Sequence, residues 1–377
     1  MEAPDAGNLR TAPVERVPPS HRPYRQGVTR IGVLTGGGDC PGLNAVIRAL
    51  VRAGLRDGHD FVGFRRGWAG VLADDAVELN YESTVGILTR GGTILGTSRT
   101  NPYADGADGT GLVRATLERR EIDVLVPIGG DDTLGVGLRL HVDGVPVVGV
   151  PKTIDNDLGG TDVTFGFQTA VQIVSDAIDR LHTTAESHDR VMVVEVMGRR
   201  AGWIATHAGI SGGADAILVP ERPFDIERLA EHLRRRHAQE RRFSIVVVAE
   251  GAQPGPEGWG DRRAPSWSAS DARDAFGNER LGGIGVPLAH ELEARTGYET
   301  RATILGHVQR GGTPVAYDRV LATRFGVEAL RAAVAGHSGA MVALRGTEIV
   351  QIPLTDAVGS PRLLDPALYE TAELFFG

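Results

Sequence analysis

Short, β-branched, apolar runs alternate with helix-patterned segments along most of this chain, and that alternation narrows the possible folds more than any other feature. The strand-like runs are Arg30–Thr35, Asp60–Phe64, Ile122–Ile128, Pro146–Val150, Val191–Val196, Ala216–Val219, Ser244–Ala249 and Arg301–Leu305, each bounded by turn residues. Between many of them lie helical patterns: Leu43–Arg56, Gly111–Arg120, Leu134–His141, Thr169–Thr184, Ile226–Arg241, Pro287–Thr296 and Tyr317–Val334. Elements in this order build parallel sheets with right-handed crossovers. Thr169–Thr184 carries Val171, Val174, Ile178 and Leu181 at helical spacing, the mark of a core-facing side. A length of 377 residues leaves room for two or three domains. The expected fold class is α/β: two doubly wound lobes with mostly parallel sheets and a cleft between them. A polar extension, 1–29, is set apart from a first lobe of 30–165 with 308–358 and a second of 166–307 with 359–377. Ala252–Gly283 breaks the pattern. It is rich in Gly, Pro, Ser and charge and too long for an ordinary connection, so it reads as an insertion, a lid or a mobile loop.

Composition removes several function classes. The balance of 41% hydrophobic and 23% charged residues is that of an ordinary globular protein. A net charge of −8 gives no overall pull toward nucleic acid or an anionic membrane. If anions bind, local arginines must attract them. The one cysteine, Cys40, rules out an intrachain disulfide and most thiolate metal sites, and fits a reducing, cytoplasmic setting. There is no apolar run near 18 residues, so no transmembrane helix is expected. Residues 1–29 are rich in Pro and Arg and lack an apolar h-region; they read as a disordered extension rather than a secretory signal.

The chemistry-bearing strings fall where strands end. "TGGGDCPGLN" (Thr35–Asn44) leaves the first strand and opens the first helix. Its glycines let backbone N–H groups approach a phosphate at a helix N-terminus. A plain strand–helix turn fits it as well. A dinucleotide fingerprint does not, because Pro41 stands where the third glycine belongs. "GGTILGTSR" (Gly91–Arg99) sets a glycine pair before Arg99, which could reach a transferring phosphoryl group or stand solvated in a loop. "GGDDT" (Gly129–Thr133) follows a strand and precedes a helix. Asp131 there suits Mg²⁺, which takes carboxylate and phosphate oxygens; Asp132 suits a helix N-cap. "PKTIDND" (Pro151–Asp157) crowds Lys152, Asp155 and Asp157 into one turn. In an extended turn the two aspartates face one side, so one can act as base and the other can touch a metal; the plainer alternative is a solvated turn. "EVMGRRAGW" (Glu195–Trp203) places Met197, Gly198 and Arg199 after another strand, and "ETRATILGHVQRGGTP" (Glu299–Pro314) groups Arg301, His307 and Arg310. A histidine alone is more often structural; beside Arg310 and a glycine pair it reads as part of an anion site.

These strings, five when "PKTIDND" is taken together with "EVMGR", resemble in this order the bacterial-type 6-phosphofructokinase family, from about Arg30 to about Leu344. The resemblance implies Mg²⁺-dependent phosphorylation of the 1-hydroxyl of fructose 6-phosphate. It makes the first lobe the phosphoryl-donor lobe and the second the sugar-phosphate lobe. It implies that Asp155, flanked by Thr153, is the base that takes the hydroxyl proton, and that Asp131 and Asp157 organise Mg²⁺. Gly37, through its backbone N–H, and Arg99 stabilise the moving phosphoryl group. Met197, Gly198, Arg199 and Glu250 meet the body of the sugar phosphate, and Arg190, Arg301, His307 and Arg310 hold its 6-phosphate. In the family Arg190 and Arg301 come from a neighbouring subunit, so a homo-oligomer, dimer or tetramer, is implied.

Two positions bear on the donor. Members that use ATP commonly carry glycine where this chain has Asp132 and Lys152; the Asp–Lys pair resembles the pyrophosphate-dependent branch. A carboxylate at 132 would stand where the α-phosphate of ATP passes. Two unit charges about 4 Å apart repel by about 4 kcal/mol at an effective dielectric of 20, roughly a thousandfold in binding. Lys152 would supply a compact cation for pyrophosphate. Arg48 and Arg52 match effector-binding positions, whereas His182, Asp215 and Glu240–Arg242 depart from that pattern, which implies weak or absent effector control. The alternatives are an ATP-dependent enzyme of the same fold, a kinase of the NAD-kinase or lipid-kinase type suggested by "GGDDT" alone, and a non-catalytic sensor. The "TIDND", "MGR" and "GHVQRGG" strings oppose the second, and an intact Asp155, Asp131 and Arg199 oppose the third.

Overall fold

A computed structural model describes residues 27–255, 258–259, 270–273, 275–277 and 279–376. Within them the strands are β1 (Arg30–Thr35), β2 (Asp60–Phe64), β3 (Ala76–Leu79), β4 (Val124–Gly129), β5 (Val148–Pro151), β6 (Val191–Val196), β7 (Ala216–Leu218), β8 (Ser244–Ala249), β9 (Ser270–Arg273), β10 (Glu279–Arg280), β11 (Thr300–Ile304), β12 (Ala340–Arg345) and β13 (Glu348–Pro353). The helices are α1 (Leu43–Arg56), α2 (Trp68–Ala73), α3 (Gly109–Arg119), α4 (Asp131–Val142), α5 (Phe167–Ser187), α6 (Trp203–Ser211), α7 (Ile226–Ala238), α8 (Gly285–Thr296), α9 (Ala316–Val334) and α10 (Pro366–Glu373).

Two sheets carry the fold. The first runs β13-β12-β5-β4-β1-β2-β3 and the second β11-β6-β8-β7. The second is parallel throughout. The first is parallel at its centre and ends in an antiparallel strand on each side, β3 and β13. In the first sheet the chain goes from β1 outward to β3 and then returns to β4 on the other side. In the second it goes from β6 past β8 to β7, and later adds β11 beyond β6. Each reversal opens a crevice at the carboxyl ends of the flanking strands, where open α/β sheets bind ligands.

The strand pattern sets the core. On β1, Ile31 and Val33 enter one cluster and Leu34 the other, as period-two alternation requires. On β6, Met192, Val194 and Val196 join the first cluster, whereas Val191 and Val193 pack with Leu229, Leu233 and Leu292 of α7 and α8. The first cluster is continuous between the sheets through α5 and α9, where Val174, Ile178 and Phe325 are fully buried.

Of the expected extension, residues 1–26 lie outside the described ones. Thr29 does not belong to it: its N–H donates to His59 Nδ1 at 3.1 Å and its carbonyl accepts from Asp60. Much of Ala252–Gly283 (256–257, 260–269, 274 and 278) also lies outside the described residues; the rest includes the antiparallel β9–β10 pair.

Candidate active site

The two crevices face each other. After β1 comes the glycine loop Gly36–Gly38; after β4, Gly130 leads into α4; after β5 comes the turn Lys152–Asp157. From the second sheet, β6 delivers Met197–Arg199, β8 delivers Glu250, and β11 delivers a 3₁₀ turn, Gly306–Arg310. Arg310 crosses the gap, its guanidinium 3.4 Å from the Asp39 carbonyl. A Cβ on Gly38 would come within 2.5 Å of that guanidinium, so a side chain there would displace Arg310. Gly91 is equally constrained: a Cβ would meet the Gly312 carbonyl at 2.1 Å.

The turn after β5 is not extended. Asn156 has φ +55°, and its side chain accepts from the Thr164 N–H at 3.0 Å while the Thr164 hydroxyl donates to the Thr153 carbonyl. This stapled left-handed turn, rather than strand alternation, brings Asp155 and Asp157 together. Asp155 is 2% exposed; its N–H donates to the Thr153 hydroxyl, which in turn lies 3.3 Å from Oδ2. Oδ1 of Asp155 is buried and has no hydrogen-bond partner among the described residues. Burial and the Asp155 charge push the Asp157 carboxyl up to about 7, with Arg199 opposing the rise and Asp131 adding to it. Glu250 is likewise raised, first by burial and then by Asp155. Asp131, Asp155, Asp157, Arg199 and Glu250 therefore share one electrostatic site.

Several side chains have assignments that the sequence did not disclose. Glu250 accepts from the Arg199 N–H at 3.0 Å, which holds Arg199 in a left-handed conformation with φ +52°. Gln309, fully buried, accepts from the Met197 N–H and donates to the Gly306 carbonyl, tying the loop after β6 to the turn that bears His307 and Arg310. Asp131 Oδ1 accepts from the Gly359 N–H at 2.8 Å. These links join residues far apart in sequence.

Two expectations need correction, at the cap of α4 and at Gly37. Gly130, not Asp132, caps α4; Asp131 and Asp132 are its first two residues, and the turn there leaves the cap without a side-chain acceptor. The Gly37 N–H, expected on a phosphoryl group, donates to the Ser98 carbonyl at 3.0 Å, because the loop bearing Arg99 packs along the glycine loop and satisfies that donor. Lys152 points under the glycine loop, with Nζ 2.5 Å from the Gly38 carbonyl; burial brings its pKa down to about 8.

Arg190 and Arg301 do not meet the others. Both sit at the amino ends of their strands and share Glu299, at 2.6 and 2.5 Å. The six residues of β6 separate Arg190 from Met197, which is about 20 Å.

The carboxylates fit a magnesium ion. Mg²⁺ is commonly held by one or two carboxylates together with substrate phosphates. Asp131 and Asp157 offer two, and the rise at Asp157, due first to burial and then to the Asp155 charge, is one that a nearby cation would oppose. No group of three His, Cys, Asp or Glu among the described residues forms a complete cage.

Comparison with known proteins follows the same lines. The family described as Phosphofructokinase matches residues 30–333. The chain is 57% identical over 350 residues to a pyrophosphate–fructose 6-phosphate 1-phosphotransferase of Amycolatopsis methanolica, covering 92% of this chain and 100% of that one. It is 53% identical over 346 residues to ATP-dependent 6-phosphofructokinase 3 of Streptomyces coelicolor, covering 91% and 99%. The crystal structure of Pichia pastoris phosphofructokinase superposes with a TM-score of 0.79 at 31% identity, over 94% of this chain but only 40% of that one. A pyrophosphate-dependent phosphofructokinase from Nitrosospira multiformis shares the fold, with a TM-score of 0.77 at 20% identity over 90% and 86% of the two chains. Motif order, the facing crevices and near-complete matches to the relatives converge: this chain belongs to the phosphofructokinase family.

Proposed function

We propose that this protein transfers a phosphoryl group from pyrophosphate to the 1-hydroxyl of fructose 6-phosphate, reversibly and with Mg²⁺, as a glycolytic enzyme of the cytoplasm. The observation that carries the reading is Asp155: a buried carboxylate with one oxygen unpartnered among the described residues, whose charge acts on both Asp157 and Glu250. Asp155 takes the proton from the 1-hydroxyl as that oxygen attacks the phosphoryl group, and phosphate leaves. Thr153 holds the carboxylate in place. Asp131 and Asp157 would hold Mg²⁺, which would neutralise charge on the donor's phosphates. Arg99 holds the phosphoryl group beside the glycine loop; Met197, Gly198, Arg199 and Glu250 hold the sugar; His307 and Arg310 hold its 6-phosphate. In a 3₁₀ turn residues three apart eclipse, so His307 and Arg310 share a side.

The donor reading rests on Asp132 and Lys152. Asp132 stands in the first turn of α4, where a carboxylate adds negative charge at the positive helix end that a longer polyphosphate would use. The relatives at 55–57% identity are named for pyrophosphate. Several at 52–53% are named for ATP, and ATP is the second reading. The strand-end placement of Arg190 and Arg301 supports a homo-oligomer in which they complete a neighbour's site. The lobes divide as 30–165 with 308–358 on the donor side and 166–307 with 359–377 on the sugar side.

The test is formation of fructose 1,6-bisphosphate from fructose 6-phosphate, pyrophosphate and Mg²⁺. Asp155→Asn should lower kcat by about 10²- to 10⁴-fold with the fold intact. Undiminished turnover in that variant would remove Asp155 from the chemistry.

A further inference from the structure

Between Gly359 and Leu364 the chain crosses from the first sheet's side to the second's, and it touches the site on both. The Gly359 N–H donates to Asp131 Oδ1. A Cβ on Gly159 would lie 2.3 Å from the Ser360 carbonyl, so the strap presses directly on the segment after Asp157. The Arg362 N–H donates to the Asp157 carbonyl at 2.8 Å. On the other side the Arg362 carbonyl accepts from Trp203 Nε1 at 3.0 Å, and its guanidinium lies 4.0 Å over the Trp203 ring. Trp203 is 4% exposed and opens α6 directly after the loop that carries Arg199. Two residues on, the Leu364 N–H meets Glu221, which also receives the Gly202 N–H. Arg362 Nη1 is buried without a hydrogen-bond partner among the described residues, and the guanidinium lies against the indole face with the charges of Asp162 and Asp365 acting on it.

We propose that Arg362 is a positioning residue: its backbone N–H and carbonyl tie the turn bearing Asp155 and Asp157 to Trp203 beside the loop bearing Arg199, its guanidinium clamps the Trp203 ring in that arrangement, and together they fix the gap that the phosphoryl group crosses. It touches neither substrate nor metal. Phosphoryl transfer depends on placement more than on new chemistry, and a displacement of about 1 Å can cost about 10²-fold in rate. A loosened gap also admits water as a competing acceptor. Pyrophosphate is then hydrolysed to two phosphates, and no sugar product forms.

This inference rests on the phosphotransfer reading above, so it needs one measurement that does not. The variants are Arg362→Met, which keeps the stem without the cation, Arg362→Lys, which keeps a cation over the indole, and Trp203→Phe, which keeps a ring but loses the Nε1 donor. Amide hydrogen exchange of residues 155–160 and 198–203 reads the clip without reference to the reaction. Exchange should rise in both segments together in Arg362→Met, and less in Arg362→Lys. Both substitutions at 362 leave its two backbone hydrogen bonds in place and Trp203→Phe removes one of them, so unchanged exchange in both Arg362→Met and Trp203→Phe overturns the clip whatever the enzyme's reaction. In turnover, KM for each substrate should stay within about twofold while kcat falls roughly 10- to 100-fold. Phosphate released without sugar product should rise about fivefold or more relative to transfer, with Arg362→Lys restoring most of the coupling. That ratio does not depend on the active fraction, so a mere loss of folded enzyme would leave it unmoved and would count against the proposal. If wild type forms no fructose 1,6-bisphosphate, the functional reading fails and the exchange result alone decides the clip.

Discussion

Lys152 shows how strongly one side chain's surroundings decide its use. Its ammonium is buried against the Gly38 carbonyl, and desolvation lowers its pKa to about 8. The cation is therefore fully present below that pH and lost above it. If it attracts pyrophosphate, KM for pyrophosphate should rise as pH passes about 8, and Lys152→Met should flatten that rise; an unchanged profile in the variant would assign the rise elsewhere. Asp132 makes a second residue-scale prediction. Asp132→Gly should raise kcat/KM for ATP, by up to roughly a thousandfold if one full charge repulsion is relieved. The sequence revealed these residue types and their places at strand ends. It did not reveal that Gly37 is satisfied by Ser98, that Gln309 holds Met197, or that Gly359 holds Asp131. Those bonds join residues 60 to more than 200 positions apart, and contacts of that range leave no local periodicity.

Among the elements, β1, β2, β6 and β8 have the bounds that alternation and turn signals imply. Others escaped for physical reasons. α6 is buried on nearly every side and so lacks an amphipathic period. α2 has six residues and β3 four, too few for either period to register. α10 has a readable start in Asp365, which caps it, followed by Pro366. Elements are also held by side chains from elsewhere. Asp318 of α9, fully buried, accepts from both the N–H and the hydroxyl of Thr169 near the start of α5, at 2.7 and 2.5 Å. Asp318→Ala strands both donors in the core and should lower stability by about 2–4 kcal/mol, read as a drop in denaturant midpoint. A change within 0.5 kcal/mol or so, the range of an ordinary surface site, would show that the cap is dispensable.

For the molecule as a whole, the decisive feature is that Arg190 and Arg301 lie about a strand's length, roughly 20 Å, from the chemistry. If they complete a partner's site, an Arg190→Ala, Arg301→Ala double variant and an Asp155→Asn variant, each inactive, should complement when unfolded and reassembled together. Random pairing in a dimer leaves about a quarter of sites with neither defect. Absence of any recovered activity in mixed oligomers would place the 6-phosphate contacts within one chain. Three of the effector positions are internally occupied: Arg52 donates to the Thr84 carbonyl and stacks on Tyr81, His182 Nε2 lies 2.6 Å from the Gly212 carbonyl, and Asp215 pairs with Arg236 at 2.5 Å. Titration with ADP or phosphoenolpyruvate at subsaturating sugar phosphate should leave the response hyperbolic, and a large sigmoidal shift would contradict that.

The central claim is that this site moves a phosphoryl group from a short inorganic donor to fructose 6-phosphate. It is tested most directly by measuring kcat/KM for fructose 1,6-bisphosphate formation with pyrophosphate and with ATP, side by side, at saturating Mg²⁺. Pyrophosphate should be preferred by about 10³-fold, and phosphate should readily drive the reverse reaction. Preference for ATP would contradict the role given to Asp132 and Lys152.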